Sequence, residues 1–335
     1  MNPVWVDSEN TIAGVGDVEF ADPGAGIGRY GTALELIRSS GRKVGFASFT
    51  FDRDESGSVI EIPDDIGTFL PTSGELPDRL DLVDDGIEEW RVGFAKAMLE
   101  IETGRVGKVV LARQVTLDSD TPPDERVVVS RLVAGNPGCH VFSIGGLLGA
   151  SPELLVRLRD GRISTLALAG TATDPDELST VKISEEHRHV SNSVTEALSK
   201  HMADVDLTEQ VIVPHGAMSH VGTRIAGPAH PGTTIADVLA DLHPTAAVAG
   251  SPTPTAIDLI REIEPMSRRR YAGPVGWMDT AGDGVFAIAL RCGTIADRRV
   301  TLYSGGGLVA GSEEYAELLE TELKLVPMLE ALGQR

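Results

Sequence analysis

Cysteine is nearly missing from this chain: its 335 residues include two, Cys139 and Cys292. Both fall in apolar, strand-like runs, so no disulfide framework is expected and a reducing cytoplasm is the expected compartment. Positive charge is scarce as well. Fifty Asp and Glu stand against 29 Lys and Arg, for a formal net charge of −21. Phosphate backbones need a basic face, which excludes nucleic acid as a partner. An anionic substrate would have to find positive charge concentrated locally. No run approaches the ~18–20 apolar residues of a membrane span. The first 25 residues carry Asp7, Glu9, Asp17, Glu19 and Asp22 where an export signal has a cationic start and an apolar core. The expectation is a soluble cytoplasmic protein with no membrane contact. Internal repeats and low-complexity tracts are also missing.

Lysine is the scarcer cation, with six residues (43, 96, 108, 182, 200 and 324) against 23 arginines. Where arginine is the habitual cation, Lys108 in the strand-like "VGKVVLAR" invites a chemical reading, because lysine can lose its proton when partly desolvated and act as a base. A strand-end lysine reaching solvent satisfies the same pattern, and on this feature alone it is the favoured reading.

Of what is present, residues 1–75 are rich in Gly, Asp and Pro with short strand-like pieces such as "KVGFASFTF". They read as a smaller peripheral layer of the same structural domain as 76–335. Asp84 and Asp85 are N-cap candidates for a helix with Ile87, Trp90, Phe94, Met98 and Ile101 at helical spacing. "GKVVLARQVTL" and "CHVFSIGGLLG" read as strands and "DERVVVSRLVAG" as a short helix. "LLVRLRDGRISTLALAG" is a hairpin turning on Asp160-Gly161, and a helix is expected near 184–203. "VGWMDTAGDGVFAIALRCGTI" and "RRVTLYSGG" continue the meander, with Gly305–Gly307 ending a strand in a turn before an acidic helix over 312–332. Hairpins outnumber strand–helix–strand units, so the expected class is α+β, with large antiparallel sheets flanked by helices. "ADPGAGIGRY" (21–30) has a faint likeness to a dinucleotide loop, but it follows Asp-Pro and puts Arg29 in the third glycine's place, so it is taken as a surface turn.

Eight blocks taken in order, "GKVVLARQV" (107–115), "GASPELLVR" (149–157), "LALAGT" (166–171), "EEHRHV" (185–190), "LHPTAAVAGSP" (242–252), "YAGPVGW" (271–277), "LRCG" (290–293) and "YSGGGLVAGS…ELLETELK" (303–324), resemble the chorismate-utilising enzymes. The resemblance runs from about residue 75 to 333. It implies a Mg²⁺ ion held by glutamates from two helices and gripping the ring carboxylate of chorismate. Glu186 matches the first ligand and Glu320 the second, with Glu317 one turn earlier as a further, water-mediated one. Few carboxylates and retained waters suit magnesium. The family often has an acidic residue where Ile183 stands here, so the first helix's share rests on Glu186, with Glu185 behind it.

The resemblance also implies the rest of the site. Backbone N–H groups at Gly305, Gly306 and Gly307, a fork from Arg291 and a hydrogen bond from Tyr271 would meet carboxylate. Lys324 would face the ring carboxylate beside the metal. Gly170 and Thr171 would lie against the ring. His220 matches a family histidine near the ring, and a satisfied core histidine fits equally well.

Members of this family differ in the nucleophile delivered to C2 of chorismate. The lysine of the aminodeoxychorismate enzymes is replaced by Ala169, and the run after the "EH" pair is unlike that of the ammonia-using anthranilate enzymes. Water remains, with Lys108 matching its general base and Glu153 the general acid for the departing 4-hydroxyl; such an acid needs a raised pKa. The implied product is isochorismate. Salicylate synthases, which go on to eliminate pyruvate, tend to have threonine at the place of Ala247. A catalytically inactive chorismate-binding relative is the third reading. No glutaminase subunit is implied, and a monomer is expected.

Overall fold

The structure is a computed structural model that describes residues 1–172, 191–207, 210–215 and 218–334. Its frame is an 18-stranded sheet in which every pairing is antiparallel. From one end the neighbours run Val211–His215, Met218–Pro228, Arg162–Ala172, Leu154–Arg159, Gly284–Ile288 and Pro274–Asp279. They continue through Val44–Ser48, Val59–Thr68, Thr11–Ala21, Val4–Val6, His140–Ile144 and Leu147–Ser151. Cys292–Ala296, Arg299–Val309 and Lys108–Ser119 follow, with Gly250–Ser251 and Leu80–Asp84 on the far edge of the last and Asp206–Leu207 beside Met218–Pro228. The expected α+β class with large antiparallel sheets is what is found. Strands from the first 75 residues sit in the middle of the ladder, between segments from the later part of the chain.

Local chemistry explains several elements. Asp160 (φ 49°) and Gly161 (φ 70°) make the two-residue turn that pairs Arg159 with Arg162, as the Asp-Gly pair requires. Helix Ile87–Glu102 buries Trp90, Phe94 and Ile101, with Ile87 and Met98 half-buried. Its N-cap is Gly86 at φ 63°, not the aspartates. A Cβ at Gly86 would stand 2.6 Å from the Gln114 carbonyl oxygen, so close approach to strand Lys108–Ser119 sets the cap. Asp84 and Asp85 still accept the Gly86 and Ile87 amides. Asp124 caps helix Glu125–Gly135 through the Arg126 and Val127 amides. That helix and Glu314–Ala331 pack Val128, Leu132, Leu325 and Met328 against Val115, Leu117, Val141, Leu148 and Leu302. Each such buried side chain contributes roughly 1.5–3 kcal/mol.

Three further sequence expectations are corrected. Cys139 is buried but precedes strand His140–Ile144. The glycine stretch at 21–30 does follow a strand, Thr11–Ala21, and opens helix Arg29–Ser39. That strand pairs antiparallel and Arg29 is buried in protein contacts, so no dinucleotide cradle results. Gly305–Gly307 do not end a strand in a turn: they lie inside Arg299–Val309, and the turn falls at Ala310–Gly311. No helix among the described residues is long and apolar enough to cross a membrane.

Candidate active site

Strands Lys108–Ser119 and Arg299–Val309 pair in register from Asp118↔Arg299 to Lys108↔Val309, placing Ala112, Leu111 and Val110 opposite Gly305, Gly306 and Gly307. The other neighbour of Arg299–Val309, strand Cys292–Ala296, reaches only to Tyr303. Beyond Tyr303 that edge has no strand partner among the described residues. Antiparallel alternation turns the N–H and C=O of Gly305 and Gly307 toward it, and Lys324 Nζ donates to the Gly305 carbonyl at 2.8 Å.

The missing side chains make room for three different groups. A Cβ at Gly305 would stand 3.0 Å from the Tyr271 hydroxyl; one at Gly306, 3.4 Å from a Glu317 carboxylate oxygen; one at Gly307, 2.8 Å from Lys108 Cε. Three consecutive glycines thus bring Tyr271, the Glu317–Glu320 face of the last helix and Lys108 onto one stretch of backbone.

Helix Glu314–Ala331 sorts its carboxylates. Glu313, Glu314 and Glu322 are exposed, while Glu317 and Glu320 are half-buried. Ser312 Oγ donates to Glu317 at 2.7 Å, and Lys324 Nζ lies 2.6 Å from Glu320 one turn on. The helix is seated by Ser304 Oγ, which donates to the Thr321 carbonyl, and by buried Arg113, which donates to Thr321 Oγ1 and the Asp85 carbonyl.

Glu153 sits between strands Leu147–Ser151 and Leu154–Arg159, its amide donating to Ser151 Oγ and its carbonyl accepting from Ile288. Burial pushes its carboxyl up to about 7, against the opposing pull of Lys108 and Lys324. It therefore holds a proton near neutrality. Arg291 has φ 48°. Burial lowers the pKa of its guanidinium, and Tyr271, Cys139 and Glu320 act in the other direction. Burial raises the Tyr271 hydroxyl, so it stays a donor; its ring stacks on Tyr303 with centroids 5.4 Å apart.

The remaining predicted residues are placed by their backbone or lie outside the described residues. Half-buried Ala247 lies in the turn before Gly250–Ser251, the short strand pairing with Val109 and Lys108. Thr171 pairs with His220 across strands Arg162–Ala172 and Met218–Pro228, at an irregularity between Ala169 and Thr171 that contains Gly170. Glu186, Glu185 and Ile183 lie outside the described residues.

Sequence reading passed over a buried ion pair that braces the site. Glu264 and Arg268 meet at 2.5 Å. Glu264 accepts the Ala112 amide, and Arg268 donates to the Val110 and Val248 carbonyls. The pair continues the ladder along the edge of Lys108–Ser119 where Gly250–Ser251 stops, tying that strand to the Ala247 turn. The signal was an acid and an arginine four residues apart, ahead of "YAGP".

Among the described residues no group of three or more His, Cys, Asp and Glu stands ready for a metal. Glu317 and Glu320, both half-buried oxygen donors, fit a hard divalent cation that keeps waters.

Lys108, Tyr271, Lys324 and the Glu317–Glu320 helix face thus gather along one open strand edge. The chain belongs to the chorismate binding enzymes, whose family description matches residues 76–333. It is 34% identical over 263 residues to isochorismate synthase MenF of Bacillus subtilis, covering 73% of this chain and 56% of that one. To isochorismate synthase EntC of Escherichia coli it is 33% identical over 256 residues, covering 71% and 66%. The aligned stretch thus spans two thirds or less of these curated relatives. The structure of DhbC from Bacillus anthracis superimposes with a TM-score of 0.90 at 27% identity, covering 100% of this chain and 96% of that one.

Proposed function

We propose that the protein is a Mg²⁺-dependent isochorismate synthase. The observation that carries this reading is the open edge at Gly305–Gly307, where Tyr271, Glu317 and Lys108 converge and Lys324 meets the Gly305 carbonyl; burial raises the Glu153 carboxyl to about 7, which suits it to give up a proton. Lys108 takes a proton from water as it attacks C2 of chorismate. The ring double bonds shift, the bond from C4 to its hydroxyl breaks, and Glu153 gives its proton to that hydroxyl, which leaves as water. One water enters and one departs, so the reaction is a reversible isomerisation. Arg291, Tyr271 and the amides of Gly305 and Gly307 receive the side-chain carboxylate, Gly306 leaves space for the acidic helix face, and Lys324 receives the ring carboxylate. Gly170, Thr171, His220 and Ala247 border the ring. Magnesium on Glu186, Glu320 and, through water, Glu317 would neutralise the ring carboxylate.

Residues 1–75 are read as part of one structural domain with 76–335. The protein is further read as a cytoplasmic monomer that works without a glutaminase subunit, since water is its nucleophile.

The test incubates purified protein with chorismate and Mg²⁺ and separates the products by chromatography. An equilibrating mixture of chorismate and isochorismate, lost with EDTA, supports the reading. Salicylate with pyruvate moves it to salicylate synthase, and binding without conversion moves it to an inactive relative. Lys108→Ala is expected to cut turnover by about 10²–10⁴-fold with chorismate binding retained; full turnover would remove Lys108 as the base.

A further inference from the structure

The segment that carries Tyr271 is held in an unfavourable backbone shape. Arg269 (φ 49°) and Ala272 (φ 60°) both lie in the left-handed region without being glycine. Such conformations cost on the order of 1–3 kcal/mol each and persist only where the surroundings over-determine them. Part of that restraint is backbone: Phe51 donates to the Arg269 carbonyl, Phe49 to the Pro274 carbonyl, and Ala272 to the Ala289 carbonyl. The Ala272 carbonyl is met by the ring nitrogen Nε2 of His243, at 3.3 Å.

Hydrogen-bond chemistry fixes the direction of every link behind that contact. A carbonyl can only accept, so His243 Nε2 carries the proton and Nδ1 is the acceptor. Tyr30 lies 3.1 Å from Nδ1 and must be the donor. The Tyr30 oxygen in turn accepts from Arg29 Nη2 at 3.1 Å. Arg29 is anchored by the Thr50 and Asp52 carbonyls at 2.7 and 3.1 Å. His243, Tyr30 and Arg29 are 0%, 0% and 1% exposed, so water cannot substitute for a lost link. Burial, Arg29 and Arg53 hold the imidazole well below its ordinary pKa, so it remains neutral, as the chain of bonds demands.

We propose that Tyr30 and His243 are positioning residues for Tyr271: the first part of the chain, through the Arg29–Tyr30–His243 relay, sets where the substrate's side-chain carboxylate is met. Neither residue reaches the site itself. The effect passes through the Ala272 carbonyl to the adjoining Tyr271, whose hydroxyl faces Gly305. This inference rests on the functional reading above, in which Tyr271 binds that carboxylate.

The test is a double-mutant cycle of Tyr30→Phe and Tyr271→Phe, read by KM and kcat for chorismate and by calorimetric chorismate binding. Tyr30→Phe keeps the ring against Phe49 and removes only the relay's donor. Each single variant is expected to raise KM by about five- to tenfold with kcat within about twofold, because a binding contact is lost. The double variant should be no worse than about twofold beyond the poorer single one, since residues acting through one contact are not additive. His243→Gln keeps an N–H donor at the position of Nε2 and is expected to stay within about threefold of the parent, whereas His243→Leu should match Tyr30→Phe. Multiplying effects, or a fall in melting temperature with KM unchanged, would overturn the proposal and leave the relay a packing feature. Turnover by the unsubstituted protein in the same assay judges the functional reading separately. If it binds chorismate without converting it, the cycle is read from binding alone; if it does not bind chorismate, both readings fall.

Discussion

Two ion pairs in this molecule have the same spacing and opposite characters. Glu264 and Arg268 meet at 2.5 Å with side chains 1% and 2% exposed. Glu320 and Lys324 meet at 2.6 Å with side chains 31% and 18% exposed. In the first, the carboxylate also takes a backbone amide and the guanidinium takes two carbonyls, so little bonding capacity is left for a ligand. In the second, the ammonium has one further partner, the Gly305 carbonyl, and water reaches both groups. Arginine's planar fork suits a closed clamp, and lysine's compact charge suits a contact that can be remade around a ligand. Both pairs hold the same two-stranded unit, one from each side. The closed pair fixes the position of the strand, and the open pair keeps groups that a ligand can reach.

Breaking the closed pair is expected to have the largest effect. Glu264→Gln leaves Arg268 buried without its counter-charge and should cost about 3–5 kcal/mol of folding stability, measured by denaturant unfolding. A loss below about 1 kcal/mol would mean that water reaches the pair.

Glu153, which feels the open pair's lysine, comes next. Its pKa in the folded protein, about 7, lies above the ordinary 4.5, so between those values the native state binds more protons than the unfolded chain. Stability from this group is complete below about pH 4.5 and is lost as pH rises through 7. The span, from 4.5 to about 7, corresponds to on the order of 3 kcal/mol. Unfolding of metal-free protein across that range should show the decline, and Glu153→Gln should flatten it.

The open pair itself is expected to matter least to stability. Glu320→Gln should change unfolding by less than about 1 kcal/mol, as for other solvent-reached pairs. The same substitution should cut turnover by a hundredfold or more and raise the Mg²⁺ concentration needed for half-activity. A large stability loss with unchanged magnesium response would erase the contrast between the two pairs.

Legibility in the sequence followed the range of the interactions. The Asp160-Gly161 hairpin was readable because its turn residues lie within the turn, and helix Ile87–Glu102 because its apolar spacing repeats along one face. In the last helix Glu320 was picked out by the family resemblance, and Glu317 by lying one turn earlier on the same face. The cap of helix Ile87–Glu102 was placed one or two residues early, at Asp84 or Asp85, because it is set by close approach to the Gln114 carbonyl on a neighbouring strand. The three glycines were read as a turn because glycine usually punctuates a strand. Here their partner strand begins at Lys108, far away in the chain, and keeps them extended. The relay from Arg29 to His243 left no sequence signal, since each of its residues is ordinary where it stands.

The sequence by itself determined the class of fold, the family and the residue types the chemistry needs, because periodicity, turn chemistry and ordered motifs are local properties. Tertiary structure decided that the first 75 residues sit in the middle of the sheet ladder, that Gly305–Gly307 form an open strand edge, and that Glu264 and Arg268 close the other side. Those outcomes depend on which distant backbones meet, and on which polar groups are thereby cut off from water and must find a partner within the protein.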